Sequence, residues 1–553
     1  KTMESVKEFV NRRFKGNEPW QICLKTLAAT GAVYYGTQAW EEIQEKGFGE
    51  YALDVAKGLP FVQDILNKEL EKEKKSAGKM VFSCPEVLEY KLNETLPEEG
   101  VSKENLLKDL LVWQQLERKR FNKGQCSGTV YHGELELANF LGKVYTMFCL
   151  SNPLHPSTFP FVQKMEAEVV SMTLKMFRGL SSEHCGVTTS GGTESILMAM
   201  KAYKERGKAR GIHKPEIIAC VTAHAAFDKA ADYFGLKLVH IAADPNTFEL
   251  DIKKAKRAIN RNTIALVCSA PSYAQGIIDN VEEAAAVVKE MKQENGWDIG
   301  IHVDCCLGGF LAPFVRQMPG RTVKPFDFSV EGVTSISADT HKYGFSPKGT
   351  SVLMFANKKL RQFMYFTAPK WTGGIYATPT MPGSRSGGVV AATWAVMMHQ
   401  GKKGYMDASS EIMKTADYIK SNMSNIPGLK VMGNPELSVV GIESTDPKLN
   451  IYAVNAAMTA KHWELNALQN PACIHICCTY CHRDKGEKFM TDLADSVRDV
   501  RENAEAYAKK SSVVIYGTTQ TVPGSLVGEI SKGFIDALFT LPQKEEEKKE
   551  ESA

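Results

Sequence analysis

The stretch "SADTHKYGF", Ser337 to Phe345, places Lys342 directly after His341 and just past the β-branched run "VTSIS". Lysine is normally a solvated surface charge, so an amine shown to a pocket by a strand-ending turn suggests a chemical task. Three other stretches have the same character. "TTSGGTES", Thr188 to Ser195, lies between a short strand and the helical "ILMAMKAYKERG". Its glycines Gly191 and Gly192, followed by Thr193, let the backbone approach an anion, and the free amides of the following helix favour phosphate. "VTAHAAFDKAA" puts His224 after an apparent strand and at a helix start, and "IHVDCCLGGF" ends an apolar strand on Asp304. A buried carboxylate is costly unless a cation or donors meet it.

Each stretch alone has an ordinary reading: a Gly-rich helix start, a capping histidine, a core carboxylate, a surface lysine. The glycine run matches neither the Walker loop nor the dinucleotide fingerprint. Together they amount to a phosphate cup, a stackable imidazole, a carboxylate seeking a cation and an amine, each at a strand exit. One ligand accounts for all four. Pyridoxal 5'-phosphate carries a phosphate, a flat ring, a pyridinium nitrogen and an aldehyde that condenses with lysine, which asks for an amine that deprotonates more readily than a surface lysine.

These residues need elements to position them. From Gly186 onward short β-rich runs alternate with helical ones: "IIACVTAH", "LKLVHIA", "TIALVCSA", "IGIHVDCC" and "VTSISADTHK". This alternation predicts a mostly parallel sheet covered by helices, with ligands bound beyond the carboxyl ends of the strands. Helical patterning is expected from about Pro85 to Glu117, and "GTVYHG" marks a turn at Gly128 to Gly133. Beyond Ser386, "AATWAVMMHQ", "SVVGIES" and the helical "FMTDLADSVRDVRENAEAYAKK" predict a smaller α+β domain.

Composition narrows the class. The 553 residues suffice for more than one domain and a large core, and 67 Lys and Arg against 64 Asp and Glu, dispersed along the chain, argue against a nucleic-acid partner. Thirteen cysteines with adjacent pairs such as Cys305-Cys306 and Cys477-Cys478 suit a reducing compartment. "CCTYC" beside His482 lacks the spacing of a zinc site, so no metal is expected.

"WQICLKTLAATGAVYYGTQAW", Trp20 to Trp40, has about the length of a membrane span, roughly 20 residues, with a tryptophan at either end. Lys25, Thr26, Thr30 and Gln38 also fit an amphipathic or buried helix. Five Lys or Arg precede Trp20, whereas only Lys46 and Lys57 occur in Glu41 to Lys57, and this asymmetry predicts a cytosolic amino terminus. The expected organisation is a tail over 1–19, an anchor over 20–40 and a linker with a helical segment over 41–125. A large cofactor domain over 126–385, a small domain over 386–542 and a charged disordered tail over 543–553 complete it.

"NPLHPSTFP", "TSGGTES", "AHAAFDKAA", "HVDCCLGGFL", "VTSISADTHKYGFSPKG" and "GGIYATPTMPGSRSGG", in this order, resemble the sphingosine-1-phosphate lyase family, within the decarboxylase-like group of fold-type I pyridoxal phosphate enzymes. The resemblance runs from about Cys126 to the 530s. It implies a fold-type I α/β architecture, a homodimer with its site at the subunit interface, and an amino-terminal anchor in the endoplasmic reticulum membrane with a cytosolic catalytic body. That orientation is the reverse of the one charge predicts.

The resemblance also implies a reaction: a phosphorylated long-chain base cleaved between C2 and C3 into phosphoethanolamine and a fatty aldehyde. It places Gly191, Gly192 and Thr193 at the cofactor phosphate, with His341 beside them and Ser384 reaching it from the other subunit. His224 stacks on the ring, Asp304 faces the ring nitrogen and Lys342 bonds the aldehyde. Tyr131, expected from the partner subunit, His155 and Lys348 match positions for the substrate's own phosphate. Lys342, Tyr273 and a phosphate oxygen are alternative acceptors for the hydroxyl proton. Cys305 stands where relatives commonly have a small residue. An amino-acid decarboxylase is the alternative enzyme, and a catalytically inert membrane scaffold the alternative outside catalysis.

Overall fold

The computed structural model describes residues 92–508 and 524–541, together with Trp40, Val87, Glu89 and Tyr90. The expected anchor over 20–40, Trp40 apart, and the tail over 543–553 lie outside the described residues. Among the described residues no helix is long and apolar enough to cross a membrane. The chain divides into two compact units, one of 107–514 and one of Lys1–Leu106 with Ile515–Ala553. In the latter, a helix occupies Gly524–Leu538.

Helix α1 spans Lys103–Phe121, within the stretch expected to be helical, and Val87 near the start of that stretch is helical too. Residues 92–102 contain Pro97 and Gly100 and form no helix, whereas the Ser102 hydroxyl accepts from the Asn105 amide and begins one. Helices α2 (Leu135–Phe148) and α3 (Pro160–Met176) follow. The main sheet then begins with β1 (Cys185–Thr189), α4 (Gly192–Ala209), β2 (Glu216–Cys220), α5 (Ala226–Phe234), β3 (Lys237–Ile241) and α6 (Ile252–Ala258). It continues with β4 (Thr263–Ser269), α7 (Val281–Asn295), β5 (Gly300–Asp304), β6 (Val333–Ala338) and β7 (Ser351–Phe355).

The seven strands lie in the order β1-β7-β6-β5-β4-β2-β3. β3, β2, β4, β5 and β6 are mutually parallel, and β4, "TIALVCS", is buried along its whole length, as a strand covered on both faces should be. The sheet is mixed because β7 runs antiparallel to both neighbours. Its link from β6, 339–350, holds no helix that could carry the chain back for a parallel return. β1 therefore regains the direction of β6, and Thr189 and Ala338 finish on either side of the start of β7, opposite Ser351 and Val352.

Buried hydroxyls join this junction. Thr189 Oγ1 and Ser195 Oγ are 2.7 Å apart, Ser195 Oγ and Ser351 Oγ 2.9 Å, and Ser351 donates to the Ala338 carbonyl at 3.2 Å. Ile196, Leu197, Met200 and Tyr203 of α4 pack on the sheet beneath.

Two further sheets follow. β8 (Phe366–Ala368) and β9 (Tyr376–Thr378) form an antiparallel ribbon. Helix α8 spans Gly387–Asn422, capped by the Ser386 hydroxyl and kinked at Gly401, whose φ of 54° breaks the helical path. β10 (Leu429–Val431), β11 (Val439–Ser444), β12 (Asn466–Leu468) and β13 (Cys473–Cys477) make an antiparallel sheet in the order β10-β11-β13-β12. α9 (Ile451–Ala460) and α10 (Gly486–Glu502) accompany it, and the long helix expected through Lys510 is interrupted at Asn503 and resumes over Ala504–Ala508.

The link between β5 and β6 depends on a buried ion pair. Arg316 bonds the fully buried Asp327 and donates to the Met176 carbonyl at 2.8 Å, while Asp327 also accepts from the Ser329 amide and hydroxyl. Asp327→Ala leaves the guanidinium without its carboxylate, at a cost of about 3–5 kcal/mol. Urea unfolding followed by tryptophan fluorescence should show a midpoint lowered accordingly, and an unchanged midpoint contradicts this role.

Candidate active site

The carboxyl edge of the parallel strands gathers the chemistry. β1 delivers Gly191, Gly192 and Thr193, β2 delivers His224, β4 delivers Tyr273, β5 ends on Asp304, and the turn after β6 carries His341 and Lys342. Lys342 Nζ lies 3.0 Å from Asp339 Oδ2, on the same turn. Burial alone would lower the pKa of the Lys342 ammonium, but the Asp339 carboxylate, aided by Asp304, outweighs it and holds the amine above the range of free lysine. This corrects the expectation of a readily deprotonated lysine. The second oxygen of Asp339, Oδ1, is buried without a hydrogen-bond partner.

Asp304 does not bond Lys342. Its Oδ1 accepts from the Cys306 amide at 3.0 Å and lies 3.3 Å from the Ser337 hydroxyl, so its protein partners are neutral. Cys305 disturbs nothing: its thiol is buried and donates to the Ala270 carbonyl at 3.0 Å.

The cup forms where α4 begins without a side-chain cap, leaving its first amides available to an anion. A Cβ at Gly192 would come within 2.7 Å of Cys306 Sγ and 2.9 Å of both Asp339 oxygens, so no side chain fits there. Gly191 faces the His341 ring, whose Nδ1 accepts from the Thr350 amide at 3.2 Å. Burial lowers the His341 pKa, with Asp339 opposing. Glu194, which sequence reasoning passed over, is buried and accepts from the Ser190 amide at 2.6 Å and the Met381 amide at 2.9 Å, tying the cup to the loop that precedes Ser384. His224 is exposed, and its Nδ1 accepts from the Ala226 amide at 3.0 Å.

The residues expected at a substrate phosphate divide into two groups. Tyr131 packs against Tyr343 with ring centroids 4.9 Å apart, and Lys348 Nζ sits 4.8 Å from the Tyr131 ring centroid. Tyr131 thus meets its own chain's lysine loop, where a partner's tyrosine was expected. Burial first, then the Lys342 charge, lowers the Lys348 pKa, and Lys348 has no ion pair among the described residues. His155 and Ser384 form the second group. Asn152 donates to Ser384 Oγ at 3.1 Å and accepts from the Arg385 amide at 3.2 Å, while Arg385 pairs with buried Glu166. No hydrogen bond or ion pair joins His155 or Ser384 to Lys342 of the same chain. Tyr273, 44% exposed, packs edge-on to buried His475 at 4.8 Å.

The parts suit pyridoxal phosphate: an uncapped helix start whose glycine admits no side chain, a carboxylate with only neutral partners, and a lysine between them. Known proteins agree. The pyridoxal-dependent decarboxylase conserved domain matches residues 85–443. The chain is 41% identical over 546 residues to sphingosine-1-phosphate lyase 1 of Rattus norvegicus, covering 97% of this chain and 93% of that protein.

The chain belongs to the sphingosine-1-phosphate lyase family.

The yeast member, from Saccharomyces cerevisiae, is 39% identical over 93% of this chain and 86% of its own length. The structure of the Burkholderia pseudomallei sphingosine-1-phosphate lyase superposes with a TM-score of 0.72 at 37% identity, covering 77% of this chain and 97% of that one. A Lactobacillus brevis glutamate decarboxylase, at 20% identity and a TM-score of 0.64, shares the fold.

The Asp339 pairing has a direct consequence. In Asp339→Asn the group that most opposes burial at Lys342 is gone, so the lysine pKa falls and a larger fraction is neutral at any pH below its former value. Acylation of Lys342 in the cofactor-free protein at about pH 8.5, followed by peptide mass spectrometry, should quicken by roughly tenfold for each unit of pKa lost. An unchanged rate contradicts the pairing.

Proposed function

We propose that this protein is a pyridoxal phosphate-dependent lyase that cleaves sphingosine 1-phosphate and related phosphorylated long-chain bases between C2 and C3, giving phosphoethanolamine and a long-chain aldehyde. When bound, the cofactor supplies an aldehyde that couples to an amine and a ring that accepts the electron pair of the broken bond. The amides at Gly191, Gly192 and Thr193, with His341, hold its phosphate, and the His224 imidazole covers the ring. The Asp304 carboxylate keeps a proton on the ring nitrogen, and Lys342 supplies the resident amine. Once displaced, that amine and the Tyr273 phenol are the chain's acceptors for the C3 hydroxyl proton.

The observation that carries the lyase over an amino-acid decarboxylase is Lys348. It is a second cation on the Lys342 loop, without an ion-pair partner among the described residues, its pKa lowered by burial first and then by the charge of Lys342. Such a cation invites a phosphate dianion, and the Tyr131 phenol beside it is a further donor.

His155 and Ser384 complete the site in a homodimer, each chain lending them to the other's lysine. Met147, Leu150, Phe161 and Ile375, near these loops in sequence, are 78%, 90%, 71% and 86% exposed, apolar surface of the kind a second copy covers. The segment over 20–40 anchors the protein in the endoplasmic reticulum membrane, with the catalytic body in the cytosol. The eleven cysteines among the described residues are all free, as a reducing compartment requires.

Incubation with a phosphorylated long-chain base should yield aldehyde and phosphoethanolamine together. Carbon dioxide from an amino acid, with no aldehyde, contradicts the proposal. Lys348→Ala should keep the visible absorbance of bound cofactor yet cleave the base ten- to a hundredfold more slowly, the loss of one charged contact of about 1.5–3 kcal/mol. Cleavage at the parent rate by this variant removes Lys348 from substrate binding.

A further inference from the structure

Beneath Asp304 runs a line of buried hydrogen-bonding side chains. His302, two residues before Asp304 on β5, is fully buried between two serines of β6. Its Nε2 lies 3.3 Å from Ser337 Oγ and its Nδ1 2.8 Å from Ser335 Oγ. Ser337 Oγ is in turn 3.3 Å from Asp304 Oδ1, and Ser335 Oγ is 2.5 Å from the hydroxyl of Tyr203 on α4. Tyr203 is fully buried and 2.7 Å from Thr334 Oγ1.

Donor and acceptor counting sets the direction. A carboxylate only accepts, so the single Ser337 proton points to Asp304 and Ser337 must receive the Nε2 proton of His302. Nδ1 is then bare and accepts from Ser335, which accepts from Tyr203, while Thr334 gives its own proton to the Ile301 carbonyl at 2.9 Å. From Tyr203 onward the protons point toward Asp304, and hydrogen bonds in series strengthen one another. Burial lowers the His302 pKa to about 4, so the ring is neutral and carries the one proton this order requires. Phe227 closes the site edge-on at 5.8 Å. The other titratable groups nearby are the Cys305 and Cys306 thiols, the Lys342–Asp339 pair, and Arg206 beside Tyr203.

We infer that His302 is a positioning residue that acts through Ser337 to keep Asp304 ionised and aimed at the cofactor. The inference rests on the proposed role of Asp304 toward the ring nitrogen. A donor to the charged form of a carboxylate favours that form, so breaking the line weakens the charge that Asp304 presents and loosens its aim. The ring nitrogen then loses part of its counter-charge.

The test uses the cofactor-loaded full-length protein and four variants. His302→Leu and Ser337→Ala break the line, Ser335→Ala removes its far support, and His302→Gln keeps a donor close to the Nε2 position. Two quantities are read against pH: the visible absorbance of bound cofactor and the acid limb of kcat. Thermal unfolding of each variant serves as the control.

His302→Leu and Ser337→Ala should move both readouts to higher pH by about one unit, a tenfold change in proton affinity, with KM nearly unchanged. Ser335→Ala should move them less, and His302→Gln should restore the parent values. If His302→Leu does not fold, Ser337→Ala carries the same test. Parent-like pH profiles in the two broken variants, or a His302→Gln profile shifted as far as His302→Leu, overturn the inference. Should the parent protein develop no visible absorbance with the cofactor, the proposed function falls first and the inference with it.

Discussion

A lysine amine at the mouth of a largely buried site must be held somewhere, and here Asp339 holds it. The two residues share one tight turn beyond β6, with 3.0 Å between Nζ and Oδ2, so the pair needs no long-range fit to form. The position of the turn does need such a fit. It depends on β6 ending level with β5 and β1, on β7 returning antiparallel between the two, and on the buried hydroxyls of Thr189, Ser195 and Ser351 that join both arms to α4. Gly192 closes the arrangement, because any side chain there would strike Asp339.

Two carboxylates meet at this edge with different work. Asp339 is engaged by the protein's own ammonium, whereas Asp304 is met only by an amide and a hydroxyl. A buried carboxylate served by neutral donors stays ready for a cation brought by a ligand, and the protonated ring of pyridoxal phosphate is one. The separation of roles explains why the site needs both residues at one edge of the sheet, Asp304 ending β5 and Asp339 just past β6. If Lys342 paired with Asp304, the ring nitrogen would have no counter-charge.

Much of this was legible in the sequence, for physical reasons. The runs at β2, β4, β5 and β6 are apolar and β-branched because those strands are buried, and Lys342, Asp304 and the glycine cup stand out because each follows such a run. Family membership followed from the order of six motifs. What escaped notice depends on partners distant in sequence. Asp339 looks like an ordinary turn residue until its oxygen is seen beside Lys342, and Glu194 looks like first-turn helix charge until Met381 is seen to bond it. The reversal at β7 was hidden because "SVLMF" is as apolar as its parallel neighbours, and only the helix-free link before it decides direction. The contact of Tyr131 with Tyr343 was hidden for a similar reason, its aromatic partner lying far along the chain.

The central claim is that Lys342 is the amine to which the cofactor is joined. Borohydride reduction of the cofactor-loaded protein, followed by proteolysis and mass spectrometry, fixes the cofactor to whichever lysine carries it. The account predicts the pyridoxyl group on the peptide containing "ADTHKYGF", at Lys342. A label on Lys348 or any other lysine, or a fully loaded protein that takes no label, would contradict it.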